Sequence, residues 1–491
     1  MASRRFLLLS VIVVLVLVQV IVFLAWARPK VFKFQLHANV MRSLSSDRNQ
    51  LALYALMSRN SAEITSPPTK QLSPHVIDTS TLSHLFHAGG STWKRRSFCE
   101  DFFERRYHTP VEVCRKGSQI RCFWNPENAH AATCDMHQIM IRPRKLWKAM
   151  ENVEGSFPHS GAVGLLTDRE YDCGKSTIDN LAKTMEGGDY VKWFVDDLIS
   201  NHALPKESCQ HWINETAFLF SSQSHHVYFR FLAYYSIHKS LIDHHVEPGS
   251  YRVFRLTEGY NYIFSDYERA LFPGVMPATD LPDGNVCFRK AVLVPKCYAT
   301  ILFQCKMQYE IRDKCLACDG RGLTGTSLRS FRTRVLAACS IEDAPKRKTD
   351  PKLITVILRE PYTRWAGDHP GHFERVLTNA KELVAGLEKS FPDYTVKPVH
   401  MEELSVCEQI GYTHDADFLV GVHGAGLVHL WWLREEAVVI ELEPYFEMGN
   451  PSFKTLAMLT GRRYVGLSIE GSSGGVRVNV NAIIEQIKSH S

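Results

Sequence analysis

Strong net charge is the first thing this chain lacks. Its 491 residues carry a formal charge of +5, and no basic stripe interleaved with aromatics runs along it. Such a balance gives no electrostatic grip on a phosphate backbone, so nucleic acid is excluded as the expected partner. A second Cys-x-x-Cys is also missing. Cys315-Leu-Ala-Cys318 stands alone, without a further pair at metal spacing, and reads as a local disulfide or loop pairing rather than zinc. A third lack is an Asp-x-Asp at a strand's carboxyl end. Asp415-Ala-Asp417 matches literally but precedes its apolar strand, away from the ligand edge, so no metal is expected.

What is present begins with residues 6–26, a 21-residue stretch with no charge, broken only by Ser10 and Gln19. At helical rise it spans about 30 Å, one bilayer core. It reads as a retained transmembrane signal-anchor behind a cytoplasmic tail at 1–5. A cleaved signal peptide is the competing reading, because Ala25-Trp-Ala27 imitates a cleavage site. Arg4 and Arg5 on one side nearly balance Arg28, Lys30 and Lys33 on the other, so flanking charge does not set the orientation. The 13 cysteines, all beyond the stretch, and the sequon Asn214-Glu-Thr216 do. Both suit an oxidising lumen, which makes this a type II chain with Asn214 as its glycosylation site. Asn450-Pro-Ser452 fails as a sequon because of its proline. The odd cysteine count leaves one thiol unpaired or bonded between chains if all others pair.

Residues 27–95, polar and broken by Ser66-Pro-Pro-Thr69, read as a luminal stem that need not fold. A cysteine-bearing, irregular lobe follows, 96–345, with strands expected at 217–220, 251–256 and 290–294. The charged break at 341–350, containing Lys346-Arg-Lys348, marks its end. From 346 to 491 the pattern becomes regular α/β. Strands are expected at 353–358, 394–399, 418–422, 438–442 and 464–469, with helices over 371–389 and 453–459. Such alternation predicts a parallel, doubly wound sheet.

The most informative run is His414 to Leu433. An apolar strand opens there into the glycine-bearing turn His423-Gly424-Ala425-Gly426-Leu427 and a short helix. Glycines let the backbone turn sharply, and the helix start offers unpaired N–H groups to an anion such as a diphosphate. A second buried strand follows, bringing Glu441 and Glu443 to its carboxyl end, where a carboxylate can accept from ribose hydroxyls. Phosphate turn plus ribose acid suggests a nucleotide. Arg359, ending the 353–358 strand, could bind the diphosphate or pair with Glu360 or Glu374, and Arg364 is a second candidate cation.

These segments resemble a known family. The Gly421-Val-His-Gly-Ala-Gly-Leu427 turn, the Val438-Val-Ile-Glu-Leu-Glu-Pro444 strand, and Ile357-Leu-Arg-Glu360 with Arg375 and Asn379 are similar to glycosyltransferase family 61. The segments FCEDFFERRY, GSQIRCFW, Cys134-Asp135 and ETAFLF look most like its β-1,2-xylosyltransferase branch. The family also holds EGF-domain O-GlcNAc transferases and O-mannose β-1,4-GlcNAc transferases. The resemblance implies a two-lobed GT-B architecture with the sugar nucleotide held by the C-terminal lobe. It implies an inverting transferase in the Golgi membrane, with the endoplasmic reticulum as alternative. UDP-xylose is the expected donor and the core mannose of N-glycans the acceptor, without cofactor or metal; UDP-GlcNAc is the runner-up donor. Implied donor contacts are His423, Gly424, Ala425, Gly426, Leu427, Glu441, Arg359, Arg364, Arg375 and Asn379. The chain departs from the family where relatives carry a histidine and, four residues on, an acid: Phe231 and Tyr235 stand there. His238, His226, His225 or Asp243 could substitute as general base, His238 first. An inactive glycan-binding membrane protein is the alternative that this departure leaves open.

Overall fold

The computed structural model describes residues 75–76, 109–112, 120–125, 128–146, 161–166, 194–195, 197–198, 204–221, 227–247, 249–256, 265–294, 327–344, 350–360, 362–366, 369–373, 375–444, 450–472 and 475–491. The expected anchor at 6–26, Cys315, Cys318, His225 and His226 lie outside them. Among the described residues no helix is long and apolar enough to cross a membrane.

Residues 74–491 form one unit built on two sheets. The first contains β2 (Thr109–Glu112), β3 (Ile120–Asn125), β4 (Asn128–Ile141), β5 (Val163–Leu165), β6 (His211–Ile213), β7 (Thr216–Phe220), β8 (Tyr251–Arg255), β9 (Met276–Pro277) and β10 (Val286–Leu293). Its order is β2-β3-β4-β10-β7-β8-β9, with β5 on β4 and β6 on β10. The long helix α1 (Val227–Asp243) carries the chain from β7 to its parallel neighbour β8. A short helix α2 (Ser265–Leu271) precedes β9.

After α3 (Ser327–Ala338) comes the second sheet, with β11 (Lys352–Leu358), β14 (Tyr394–His400), β15 (Phe418–Val422), β16 (Val438–Pro444) and β17 (Arg463–Ser472) mutually parallel along the order β17-β16-β15-β11-β14. The hairpin β12 (Tyr362–Ala366) and β13 (His369–Phe373) is inserted after β11. β18 (Gly475–Arg477) pairs with the end of β17. β1 (His75–Val76) adds antiparallel to β17, so two residues of the expected stem join this sheet.

Helices cover both faces of the second sheet. α4 (Ala380–Ser390) and α7 (Val480–His490) pack with Ile354, Val420 and Ile440 on one side. α5 (Val406–His414), α6 (Ser452–Leu459) and the 3-10 helix Ala425–Trp432 pack on the other. Burial on both faces is why β15 reads as an unbroken apolar run rather than an alternating one. The mixed α/β class and doubly wound second sheet expected from the sequence are present. The helix expected over 371–389 is corrected: residues 371–373 belong to β13, and the helix starts only at Ala380.

The core between the sheets is aromatic. Phe231 of α1 lies 4.9 Å from the Trp432 ring and Phe331 of α3 5.2 Å from Trp431. Three disulfides are formed among the described residues, Cys122–Cys134, Cys209–Cys287 and Cys339–Cys407. The last ties the end of α3 to α5.

Candidate functional site

In sequence order the parallel strands of the second sheet run 2-1-3-4-5, so the connections leave in opposite directions from β11 and β15. Ligands in such sheets sit outside the carboxyl ends at that switch point. Arg359 follows β11 there, and His423 and Gly424 follow β15.

The two arginines converge on one atom. Arg375 Nη1 donates to the His423 carbonyl at 2.8 Å and Arg359 Nη1 to the same oxygen at 3.4 Å. Gly424 is extended, φ 168° and ψ 170°, so its glycine answers no backbone strain. Close approach is the reason: a Cβ at Gly424 would meet Arg359 Nη1 at 2.1 Å, and one at Gly426 would meet Ile357 Cγ2 at 3.3 Å. The expectation that these glycines serve a sharp turn is corrected accordingly. Leu427 N closes the first turn on the Gly424 carbonyl at 2.9 Å, and Leu427 is buried while Ala425 and Gly426 are half-exposed.

Behind the turn lies a polar chain. His423 Nδ1 faces Glu441 Oε1, Tyr464 hydroxyl donates to Glu441 Oε2 at 2.6 Å and reaches Glu443 Oε1 at 2.7 Å. Asn450 Nδ2 lies 3.1 Å from His423 Nε2, while Ser452 Oγ donates to Asn450 Oδ1 at 2.6 Å. Because Ser452 occupies the amide oxygen, Asn450 offers its N–H, so Nε2 accepts and Nδ1 carries the proton toward Glu441. Burial holds the Glu441 carboxyl above the usual carboxylate range; His423 and Tyr464 oppose that shift and the nearby Glu443 charge adds to it. Burial likewise raises Tyr464, aided by both carboxylates. Glycines at 421 and 466 flank Glu441 in the sheet register, and a Cβ at Gly466 would meet Glu443 Oε1 at 2.6 Å.

Several expected roles change. Glu441 is 0% exposed with both oxygens engaged, so it holds His423 and does not reach a ribose. Glu443, half-buried at the strand's end, is the outer acid. Asn379 is corrected too: it is buried, accepts from Val478 N at 3.1 Å and donates to Val478 O at 3.0 Å, pinning α4 to the segment before α7. Arg364 lies on β12 opposite Gly371. Asp415 and Asp417 sit at the amino end of β15, where Asp417 accepts from Leu353 N at 2.7 Å.

His238 and Asp243 are not at the turn. The amino end of α1 is the end nearest it, since Tyr228 meets Phe453 at 5.8 Å and Phe453 meets His423 at 5.1 Å. His238 lies about 15 Å along the helix from Tyr228 and Asp243 about 22 Å. His238 is enclosed, with Nε2 2.8 Å from Ser330 Oγ, and burial, then Arg334 and Lys239, push its pKa down to about 3. Asp243 pairs with Lys239 at 2.5 Å. His225 and His226, the other two histidines expected as base, precede α1 in sequence and lie outside the described residues. Phe231 and Tyr235, at the positions where the sequence departs from the family pattern, are both buried in the core, Tyr235 hydroxyl lying 2.8 Å from Ser327 Oγ.

Sequence reasoning missed Tyr464 and Asn450 as parts of the site. A glycine inside a buried strand marks close approach of another group, and Gly466, two residues after Tyr464, was that signal.

Part of the chain is similar to known proteins. The model of the family Glycosyltransferase 61 matches residues 209–440, from β6 through the turn into β16. An EGF domain-specific O-linked N-acetylglucosamine transferase of Xenopus laevis is 31% identical over 42% of this chain and 35% of its own length. The Drosophila melanogaster protein of the same name is 26% identical over 55% and 48%, and the Rattus norvegicus one 24% identical over 71% and 64%. The chain thus spans about a third of the first of these relatives. A solved E. coli heptosyltransferase with ADP is 12% identical and covers 56% of this chain and 100% of its own, at a TM-score of 0.28, too low to compare folds. Over residues 209–440, this chain is similar to glycosyltransferase family 61.

Proposed function

We propose that this chain is an inverting glycosyltransferase that holds the diphosphate of a UDP-sugar at the Gly424 turn. The observation that carries the reading is the convergence of Arg359 and Arg375 on the His423 carbonyl, at the switch point of a doubly wound sheet. Two guanidinium groups and the N–H groups of Ala425 and Gly426 would neutralise the departing diphosphate without a metal. Glu441 and Tyr464 would hold the His423 ring, and Glu443 would reach the ribose. His225 or His226 would take the acceptor's proton.

The rest of the assignment is proposed with it: a GT-B arrangement of an acceptor lobe, 96–345, and a donor lobe, 346–491, luminal in the Golgi behind an anchor at 6–26. The acceptor is a glycoprotein or its N-glycan. UDP-GlcNAc is the donor favoured by the names of the relatives. UDP-xylose is the second reading, favoured by the segments of the early lobe that resemble xylosyltransferases.

A donor screen with the full chain tests this. Transfer or hydrolysis with UDP-GlcNAc alone supports the first donor and removes xylose; the reverse result removes GlcNAc. Nucleotide binding without turnover on any acceptor would contradict catalysis and favour a glycan-binding protein that keeps the fold.

A further inference from the structure

Asn214, the sequon asparagine, is exposed between β6 and β7. Arg289 Nε donates to its Oδ1 at 2.6 Å. A guanidinium has only donors, so the amide oxygen must face Arg289, and Nδ2, the atom that carries an N-linked sugar, takes the other branch of the amide. Arg289 also stacks on Trp212, its Cζ 5.3 Å from the indole centroid. Trp212 stands two residues before Asn214, and side chains two apart along an extended segment share a side. At 37% exposure it is one of two large hydrophobic residues left open among the described residues. Its strand is fixed: Trp212 pairs with Cys287 in β10, and Cys209 is bonded to Cys287.

We propose that Asn214 carries an N-linked glycan whose first N-acetylglucosamine packs its apolar C–H face on the Trp212 indole. An aromatic ring and a sugar ring complement each other in this way, because the indole offers an electron-rich face to polarised C–H bonds. Arg289 holds both partners, keeping the indole in place and the Asn214 oxygen turned inward; that hydrogen bond survives modification because the glycan replaces a proton on nitrogen. In the transfer, Nδ2 bonds to the anomeric carbon of a lipid-diphosphate oligosaccharide, the carbon–oxygen bond to the diphosphate breaks, and one amide proton is lost. That donor and its transferase belong to the secretory membrane, and the chain supplies only the acceptor.

The full chain, expressed through the secretory pathway of a eukaryotic cell, is analysed by glycopeptide mass spectrometry and thermal melting as wild type, Asn214→Gln, Trp212→Ala and the double variant. Occupied Asn214 is expected, with Asn214→Gln lowering Tm by about 2 °C and causing no shift in the Trp212→Ala background. Trp212→Leu, apolar but without a ring, serves the same cycle if alanine unsettles the strand. An unmodified Asn214, or an equal shift in both backgrounds, would overturn the proposal.

Discussion

The His423 imidazole faces the Glu441 carboxylate through Nδ1 and Oε1, with 5% of the histidine and none of the glutamate open to solvent. This fixes one tautomer and one ring orientation at the carboxyl end of β15, while two arginines hold the same residue's carbonyl from outside. Side chain and backbone of one residue are thus both held.

Glu441→Gln keeps the volume and removes the charge-assisted contact. It should lower stability by about 1.5–3 kcal/mol and weaken UDP binding as the ring loses its fixed orientation. Denaturant unfolding and calorimetry measure the two. Unchanged stability and affinity would show that the pair neither holds the turn nor matters to the ligand.

Gly424→Asp places a carboxylate where Arg359 Nη1 now sits. A guanidinium can swing aside, so the sheet should fold, while UDP binding should be lost to charge repulsion and blocked approach. Circular dichroism establishes the fold. A folded variant with wild-type affinity would remove the diphosphate from this turn.

Burial pushes His238 and His429 each down to about 3. The unfolded chain protonates such groups near pH 6.5, so between pH 6.5 and 3 it binds more protons than the folded chain, and acidification drains stability. Above pH 6.5 neither histidine contributes. From pH 7 to pH 5 each should cost about 2 kcal/mol, and His238→Gln should flatten the fall in Tm over that window. A fall as steep as wild type would mean that His238 is protonated in the folded state.

Legibility in the sequence followed the physics of each element. β15 was readable end to end because both faces are buried and its five residues are apolar throughout. α5 escaped notice although Ser405 and Glu408 form a reciprocal capping box at its start, because it is short and interrupted by Gly411 and Cys407. The stretch 371–389 carries apolar residues at helical spacing, but Pro370 and Gly371 favour the hairpin, and cross-strand pairing of β12 with β13 overrode the period. For the site, the sequence shows Glu441 on a strand following the turn, yet only the packing of β16 against its neighbours reveals His423 and Tyr464 on its two oxygens. His238 illustrates the converse: helical spacing placed it on a near face, while the packing of α3 against α1 closes that face.

The central claim is that Arg359 and Arg375 grip a diphosphate at the Gly424 turn. Isothermal titration of UDP and of uridine into wild type, Arg359→Ala and Arg375→Ala tests it most directly. A charge-assisted contact of roughly 1.5–3 kcal/mol predicts that each variant loses about 10- to 100-fold in UDP affinity and little or none for uridine. Equal affinity of wild type for UDP and uridine, or UDP affinity unchanged in both variants, would contradict it.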